Sequence, residues 1–241
     1  MMHHHVLHNL KASQNIWRYL SPEKFALLVS RRELWFTRAD LLGDDHEGSL
    51  PDFVIANRNQ KFKETAVRQK LERGSKAQLK DAFVSCWSMQ APKSLLMWKL
   101  YTPNAKGFAI ETTINQLATC FVSKSNDLFD RYDHRIEKVR YLDYSSSPPP
   151  SNTLSPRVFN RFKHKRKGYT YEREIRAIIF SRQTVEDPRI GIGLSVDLQE
   201  LISKVYVSHR NGFELFAEDL LREAGIKKEV SFPSFVHNPK Y

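Results

Sequence analysis

The 241-residue chain is long enough to bury a hydrophobic core, as one large domain or two small ones. Its 38 Lys and Arg against 27 Asp and Glu give a net charge of +11, which favours anionic partners such as nucleic acid, nucleotides or phosphates. Two cysteines are too few for a disulfide scaffold, and no apolar run reaches the roughly 18 residues of a membrane span. We therefore expect a cytoplasmic protein without a membrane segment.

A histidine-rich run, His3-His4-His5, stands near the start of the chain, which lacks the apolar core of a signal peptide. Such a run can bind a metal, but a flexible N-terminal tail over residues 1–14 explains it more simply. The remainder contains no repeat, glycine-rich phosphate loop or Cys-x-x-Cys pair, and no clear linker. Residues 15–241 are therefore predicted to form a single α+β domain with a basic loop at about 145–168.

The first predicted elements are a strand over 15–20, a helix and a second strand over 33–38. The helix begins at Ser21-Pro22-Glu23, which places a hydroxyl cap, a first-turn proline and an acid in their favoured positions. A loop over 39–49 follows and holds four acids and one histidine. Its side chains suit Mg²⁺, Mn²⁺ or Zn²⁺, although a turn closed by its own side-chain hydrogen bonds is the simpler interpretation.

A strongly charged stretch, 60–80, has helical spacing and is predicted to form two helices broken at Gly74-Ser75, with a solvated face. Further along, a short helix over 94–101 carries Trp98 and Tyr101. Their rings would stack on a planar ligand, while core packing is the default interpretation.

The other apolar stretches are short, rich in β-branched and aromatic residues, and separated by polar turns, which is typical of strands. We predict such strands at 82–88, 107–113, 136–144, 190–196, 204–208 and 229–232. Helices are expected to begin at the capping residues Thr112 or Thr113, Asp197 and Asn211. The predicted fold class is α+β, with a mixed, mostly antiparallel sheet at its core and helices at its periphery.

The most basic stretch, 157–168, interleaves cations with Phe159 and Phe162. Cations bind phosphates and rings stack on bases, so this pattern favours contact with RNA or DNA. The predicted nucleic-acid contacts are its cations: Arg161, Lys163, Lys165, Arg166 and Lys167. A solvated linker is the alternative interpretation.

The next stretch, 169–180, is predicted to be a strand that enters the core. Because strand side chains alternate, Glu172, Glu174 and Arg176 would share one face with Ile178, and the two carboxylates would lie roughly 6–7 Å apart. Such a trio is a candidate site where a sheet meets a cleft. The alternative is a solvated edge of alternating charge.

These blocks, in this order, resemble a widespread bacterial family known as a domain of unknown function. The likeness spans roughly residues 15–210 and consists of eight short motifs: Trp17-Arg18-Tyr19, Leu34-Trp35-Phe36-Thr37, Asp45-His46-Glu47-Gly48, Val84-Ser85-Cys86-Trp87-Ser88, Met97-Trp98-Lys99-Leu100-Tyr101, Gly107-Phe108-Ala109-Ile110, Val139-Arg140-Tyr141 and Tyr171-Glu172-Arg173-Glu174-Ile175-Arg176. The family's turn usually reads Asn-Asp-Pro-aromatic-Glu-Gly, whereas this chain has Gly43-Asp44-Asp45-His46-Glu47-Gly48. The family name implies no activity.

The order of an Arg on an early strand, Ser-x-x-Ser on a middle strand and Glu-x-Glu on a late strand also resembles the NAD-using ADP-ribosyltransferases. This resemblance implies that Arg18 or Arg38 holds the phosphates or the nicotinamide-side ribose. It implies that Ser85 or Ser88 positions the ribose. Glu174, with Glu172 behind it, would stabilise the cationic ribosyl transition state, and Trp98 or Tyr101 would stack on the nicotinamide.

The first hypothesis is therefore an ADP-ribosyltransferase or NAD glycohydrolase with NAD as substrate, acting as a toxin or phage-defence effector on nucleic acid or protein, with an antitoxin or defence-system partner. The second is a metal-dependent nuclease that uses Asp44, Asp45, His46, Glu47 and Glu172 or Glu174 around Mg²⁺. The third is a non-catalytic nucleic-acid or nucleotide-binding module in which the acids only pair with arginines. We expect no resident metal under the first hypothesis.

Overall fold

The computed structural model of the chain describes residues 10–122, 132–145, 158–181, 189–208 and 212–233. Three of the predicted features lie outside the described residues: the histidine-rich run at 3–8, the Ser- and Pro-rich stretch at 146–157 and the Asn211 cap.

The described chain contains eleven strands, seven α-helices and four short 3-10 helices. The strands are β1 (Asn15–Leu20), β2 (Glu33–Arg38), β3 (Ala82–Ser88), β4 (Phe108–Thr113), β5 (Tyr132–Lys138), β6 (Arg140–Leu142), β7 (His164–Arg166), β8 (Glu174–Ser181), β9 (Gly191–Ser195), β10 (Lys204–Val207) and β11 (Val230–Ser231). The α-helices are α1 (Pro22–Arg31), α2 (Asp52–Lys61), α3 (Thr65–Lys80), α4 (Leu95–Tyr101), α5 (Ile114–Val122), α6 (Leu198–Leu201) and α7 (Phe213–Glu223). Short 3-10 helices occupy Ala39–Leu41, Pro103–Ala105, Val158–Lys163 and Lys167–Glu172.

Among the described strands, nine form one sheet in which most neighbours are antiparallel. The main path runs β11-β10-β4-β1-β3-β2-β9, and β8 pairs with the other edge of β3 and with β5. Strands β10 and β11 are parallel, and β6 and β7 form a separate parallel pair. The predicted α+β class, with a mixed and mostly antiparallel sheet, is confirmed.

Strand β3 is the point at which the sheet divides. One edge of β3 pairs along its whole length with β8, from Ala82 opposite Phe180 to Ser88 opposite Glu174. Two strands share the other edge of β3: β2 pairs with β3 near Val84, and β1 pairs with β3 at Ser88. Strands β1 and β2 therefore diverge along the middle of β3 and leave a gap between them.

The two faces of the sheet have different coverings. The main core covers the face of β1 that carries Ile16 and Leu20, where α1, α5 and α7 contribute apolar side chains. The opposite face carries Trp17 and Tyr19, which pack with α4. Helix α1 begins as predicted, with the Ser21 hydroxyl accepting from the Lys24 backbone N–H. None of the described helices combines the length and apolarity needed to cross a membrane.

Three of the predicted boundaries are wrong. The strand predicted over 136–144 is two strands, β5 and β6, which belong to different sheets. Helix α3 runs unbroken through Gly74, because an exposed glycine costs a helix only about 1 kcal/mol and leaves its hydrogen-bond ladder intact. The predicted strand over 169–180 begins only at Glu174, because Lys167–Glu172 is a 3-10 helix and Arg173 adopts a left-handed backbone with φ of 45°. From Glu174 onward the predicted alternation holds, with Arg176 and Ile178 on the same face.

Two glycine substitutions should change stability in opposite directions. Gly74→Ala should raise the free energy of unfolding by about 1 kcal/mol, because the added Cβ in α3 meets open space and alanine favours helix. Gly48→Ala should lower it by at least about 1 kcal/mol, because Gly48 has φ of +63° and its added Cβ would clash with Leu79 of α3. Urea denaturation of both variants checks this, and equal effects would contradict the described path of α3.

Candidate functional site

A cavity of about 510 Å³ lies beside α4 and the 3-10 helix at Lys167–Glu172. Its walls also include residues of α1, of strands β1, β2, β3, β7 and β8, and of the turn before α2. Six aromatic side chains line it: Trp17, Tyr19, Trp87, Tyr101, Tyr169 and Tyr171. The cavity therefore offers flat apolar surfaces to a planar ligand, with charged groups at a few fixed points.

Two carboxylates at the cavity share one ammonium group. The Lys165 Nζ lies 2.6 Å from Glu172 Oε2 and 3.5 Å from Glu174 Oε2. The Tyr101 hydroxyl donates to Glu172 Oε1 at 2.6 Å. Both carboxylates are only 4% exposed. The left-handed Arg173 between them turns the chain out of the 3-10 helix, so the two acids converge on Lys165 rather than following the predicted strand spacing.

The Arg176 guanidinium is 1% exposed and binds two carboxylates. Its Nε and Nη2 donate to the oxygens of Glu174 at 2.8 and 3.1 Å. Its Nη1 and Nη2 donate to the two oxygens of Glu47, and Nη1 also donates to the carbonyl of Phe162 at 3.0 Å. A buried charge is tolerated when it is paired and hydrogen-bonded in this way. Arg176 therefore fixes the acidic turn, which carries Glu47, against β8.

The acidic turn is closed by its own side chain and by a second ion pair. The Asp44 carboxylate accepts from the His46 backbone N–H at 3.0 Å, which confirms the prediction of a capped turn. Asp44 Oδ1 also lies 2.8 Å from Arg166 Nη2. Across the described residues, no three His, Cys, Asp or Glu side chains are grouped so that they could hold a metal ion. The described residues therefore contain no metal site of the kind that the metal-nuclease hypothesis requires.

The formal charge of the buried cluster is −1 when all its groups are ionised, because it joins three carboxylates to two cations: Glu47, Glu172 and Glu174 with Lys165 and Arg176. Burial alone would raise the pKa of Glu174, but the charges of Arg176 and Lys165 outweigh it and hold that pKa at about 2. Burial raises the pKa of Glu172 despite its hydrogen bonds from Lys165 and Tyr101. The nearby glutamates overcome the burial of Lys165 and raise its pKa, so the ammonium stays charged.

Arg18 lines the cavity from the gap between β1 and β2. Its Nη1 donates to the Ser85 hydroxyl and its Nη2 donates to the Trp35 carbonyl at 2.9 Å. The Ser85 oxygen also accepts from Trp87 Nε1 at 3.1 Å. Burial lowers the pKa of Arg18 to about 10, which leaves the guanidinium charged at neutral pH. Ser85 is fully buried and orients Arg18, while Arg18 itself reaches the cavity.

Ser88 and Cys86, on the same strand, also line the cavity. The Ser88 hydroxyl donates to the Glu172 backbone carbonyl at 2.6 Å and accepts from the Gln90 backbone N–H at 2.9 Å. Ser88 therefore positions the segment that carries Glu172. Burial and the neighbouring Glu174 raise the pKa of Cys86 well above its ordinary value, so its thiol is protonated and is not an activated nucleophile.

Three of the predicted NAD contacts do not line the cavity: Ser85, which lies behind Arg18, and also Arg38 and Trp98. Arg38 pairs with Asp40 at 2.6 Å and donates to the Arg189 carbonyl at 3.0 Å, so Arg18 is the arginine that lines the cavity. Trp98 is fully buried with its ring edge-to-face against Tyr19, at 5.0 Å between centroids. Trp98 therefore occupies the core position that was its default interpretation, and Tyr101 lines the cavity.

Most of the predicted nucleic-acid contacts have partners within the protein. Arg161 donates to the Ser75 carbonyl of α3 at 2.8 Å, and Lys163 lies 2.7 Å from a Glu137 oxygen. Lys165 and Arg166 form the ion pairs with the acids described above. Lys167 is exposed. The predicted nucleic-acid stretch thus serves largely to neutralise and orient acids inside the protein.

Sequence reasoning missed two features of the site. Lys165 was assigned to nucleic acid, although its place is between two carboxylates. The pairing of Glu47 with Arg176 joins residues 129 positions apart, and no local pattern indicates it. The one available signal was the predicted position of Arg176 on the same strand face as Ile178, since an arginine that enters a core needs acids as partners.

No family model, curated protein or solved structure matches the chain. The resemblances to the domain of unknown function and to the ADP-ribosyltransferases therefore stay predictions.

Removing the cation of Arg176 should strongly destabilise the fold. Arg176→Met keeps much of the side-chain volume but leaves Glu47 and Glu174 buried without their guanidinium, which should cost about 3–5 kcal/mol of unfolding free energy. Arg222→Met is the matched control, since Arg222 pairs with Asp219 on the exposed surface of α7 and should cost at most about 1 kcal/mol. Guanidinium denaturation measures both, and similar losses would contradict the central role of Arg176.

The contribution of Glu174 to stability should depend on pH. Its folded pKa of about 2 lies below the value near 4.3 of an unfolded glutamate, so the ionised carboxylate stabilises the fold above roughly pH 4.3 and this contribution is lost as the pH falls towards 2. The loss of unfolding free energy caused by Glu174→Gln should therefore shrink by about 2–3 kcal/mol between roughly pH 6 and pH 2.

Denaturant titrations at several pH values check this dependence. Glu218→Gln, at an exposed position on α7, is the control. Its free energy of unfolding should stay within a small margin of the wild-type value at every pH tested. A loss caused by Glu174→Gln that stays constant with pH would contradict the charge state assigned to Glu174.

Proposed function

We propose that the cavity binds NAD and that the chain cleaves the bond between nicotinamide and ribose. The observation that carries this proposal is that Arg18 and the net-negative carboxylate cluster line one cavity of about 510 Å³. NAD has the complementary charge pattern, because its pyrophosphate is anionic and its nicotinamide ring is cationic. The aromatic lining supports the proposal further, since planar rings stack on such surfaces.

In the proposed reaction, the C–N bond between ribose and nicotinamide breaks and its electron pair goes to the nicotinamide nitrogen. The ribose is left with an oxocarbenium-like positive charge, which a nearby carboxylate stabilises. A water molecule or an acceptor group then forms the new bond to the ribose carbon and gives up its proton. The Glu172–Glu174 pair supplies the negative charge, and Arg18 holds the pyrophosphate. A toxin or phage-defence role, and an antitoxin partner, rest on the resemblance alone.

Of the two acids, Glu172 is the better test of this chemistry. Glu174 binds Arg176 through both oxygens, so changing it also disturbs the buried ion pairs that hold the fold. Glu172 receives one hydrogen bond from Lys165 and one from Tyr101, a residue that is 43% exposed. Glu172→Gln therefore removes a cavity charge and leaves the pairs of Arg176 in place.

Wild-type protein incubated with NAD should release nicotinamide, and Glu172→Gln should lower the rate by at least about 100-fold. Arg18→Gln should mainly raise KM, because its expected contact is with a phosphate away from the reacting bond. Arg38→Gln is the matched control. It should leave the rate of nicotinamide release and KM within about twofold of the wild-type values, since Arg38 lies outside the cavity lining. Chromatographic detection of nicotinamide gives these rates, and equal rates for wild type and Glu172→Gln would contradict the proposal.

A second candidate is a nucleotide-binding module without chemistry. One observation favours it: Glu174 is paired with Arg176, as the third hypothesis expected, and Glu172 is also paired, although with Lys165 rather than with an arginine. Calorimetric binding of NAD with no release of nicotinamide would support this second candidate. The absence of both binding and release would contradict the two proposals together.

A further inference from the structure

The segment from α2 to α3, residues 52–80, carries much of the protein's excess positive charge. It contains eight Lys or Arg against three Asp or Glu, in a chain whose net charge is +11. Neither helix has a fully buried residue. The cations of α2 and α3 thus differ from Lys163, Lys165 and Arg166, which pair with acids inside the protein.

Helix α3 places its cations in one stripe. Lys70, Arg73, Lys76 and Lys80 follow one another at intervals of three or four residues, so they lie on the same side of the helix. All four are exposed. Lys76 pairs with Glu72 at 3.1 Å, a contact between two highly exposed side chains that contributes little. The stripe spans about 15 Å along the helix axis.

A pair of guanidinium groups lies on the other side of α3, because Ser75 and Gln78 are about half a helical turn away from the stripe. Arg161 donates to the Ser75 carbonyl and to Gln78 of α3. Burial and the nearby charge of Arg58, on α2, lower the pKa of Arg161. The Arg58 Nε is buried and has no hydrogen-bond partner among the described residues. Both guanidiniums therefore add positive charge to this part of the protein but lie outside the stripe.

We propose that the exposed face of α3, along the stripe of Lys70, Arg73, Lys76 and Lys80, binds the phosphate backbone of nucleic acid. Nucleic acid presents a phosphate every ~3.4 Å along each strand, so a row of four cations meets several phosphates at once. A membrane surface fits less well, because a helix that lies in a bilayer needs an exposed apolar face. Within residues 52–80, all of them described, Leu71 is the single exposed large apolar side chain.

This binding surface differs from the one predicted from the sequence, because the cations of 161–167 are mostly engaged within the protein. Binding should show no base preference, since phosphate contacts carry no sequence information. The inference does not depend on NAD cleavage. Loss of nicotinamide release would therefore leave it standing, and loss of nucleic-acid binding would leave the cavity proposal standing.

The test is fluorescence anisotropy with a labelled RNA strand of about 20 nucleotides and a labelled DNA duplex of about 20 base pairs. Both probes are longer than the stripe of cations. Wild type should bind both, with an affinity that falls steeply as salt is added. The triple variant Lys70→Gln, Arg73→Gln, Lys80→Gln should bind at least about tenfold more weakly at ~0.1 M salt, and its log–log salt slope should be smaller by about 2–3.

A matched control removes the same charge from other exposed positions. Lys106→Gln, Lys138→Gln, Lys227→Gln should weaken binding by less than about threefold. The single change Lys70→Gln should lower the salt slope by about one. It tests the same prediction if the triple variant does not fold. Equal weakening by the two triple variants would overturn the proposal, and so would no binding by wild type. Binding only to vesicles containing phosphatidylserine would overturn it in favour of a membrane.

Discussion

The contact on which the site depends is the buried guanidinium of Arg176 between Glu47 and Glu174. Removing three charged groups from water is costly, and only close pairing with full hydrogen bonding offsets that cost. The pairing also joins distant parts of the chain, since Glu47 belongs to the turn before α2 and Glu174 begins β8. The turn, the strand and the cavity wall are therefore held as one unit.

The second constraint is the division of the sheet at β3. Because β1 and β2 share one edge of β3, the strands separate and leave room for the Arg18 side chain. Ser85 and the Trp35 carbonyl accept its hydrogen bonds and fix its direction. The cavity thus has a cation in one wall and a cluster with one net negative charge in another. This separation of charge, rather than any single acid, is the basis on which we propose a dinucleotide as the ligand.

Features that depend on local chemistry were predictable from the sequence. The Ser21 cap, the early strands and the alternation after Glu174 each follow from residues close together in the chain. The break expected at Gly74 was wrong because glycine weakens a helix without ending it. The left-handed Arg173 carries no glycine or asparagine signal, so the late start of β8 was not predictable from residue types.

Features that depend on strand order were not predictable. Arg18 and Arg38 both lie on early strands, and only the division at β3 brings Arg18 to the cavity. Lys165 stands in a basic run that suggests nucleic acid, yet the fold places it between Glu172 and Glu174. The convergence of Arg18 with these acids was expected from a resemblance, and local patterns alone gave no distance between them.

The most direct measurement is a crystal structure of the protein with a non-cleavable NAD analogue. The account predicts the pyrophosphate against Arg18 and the nicotinamide ribose beside Glu172, with Arg176 still bound to Glu47 and Glu174. An analogue bound outside this cavity, or bound with its phosphates against the carboxylates, would contradict it.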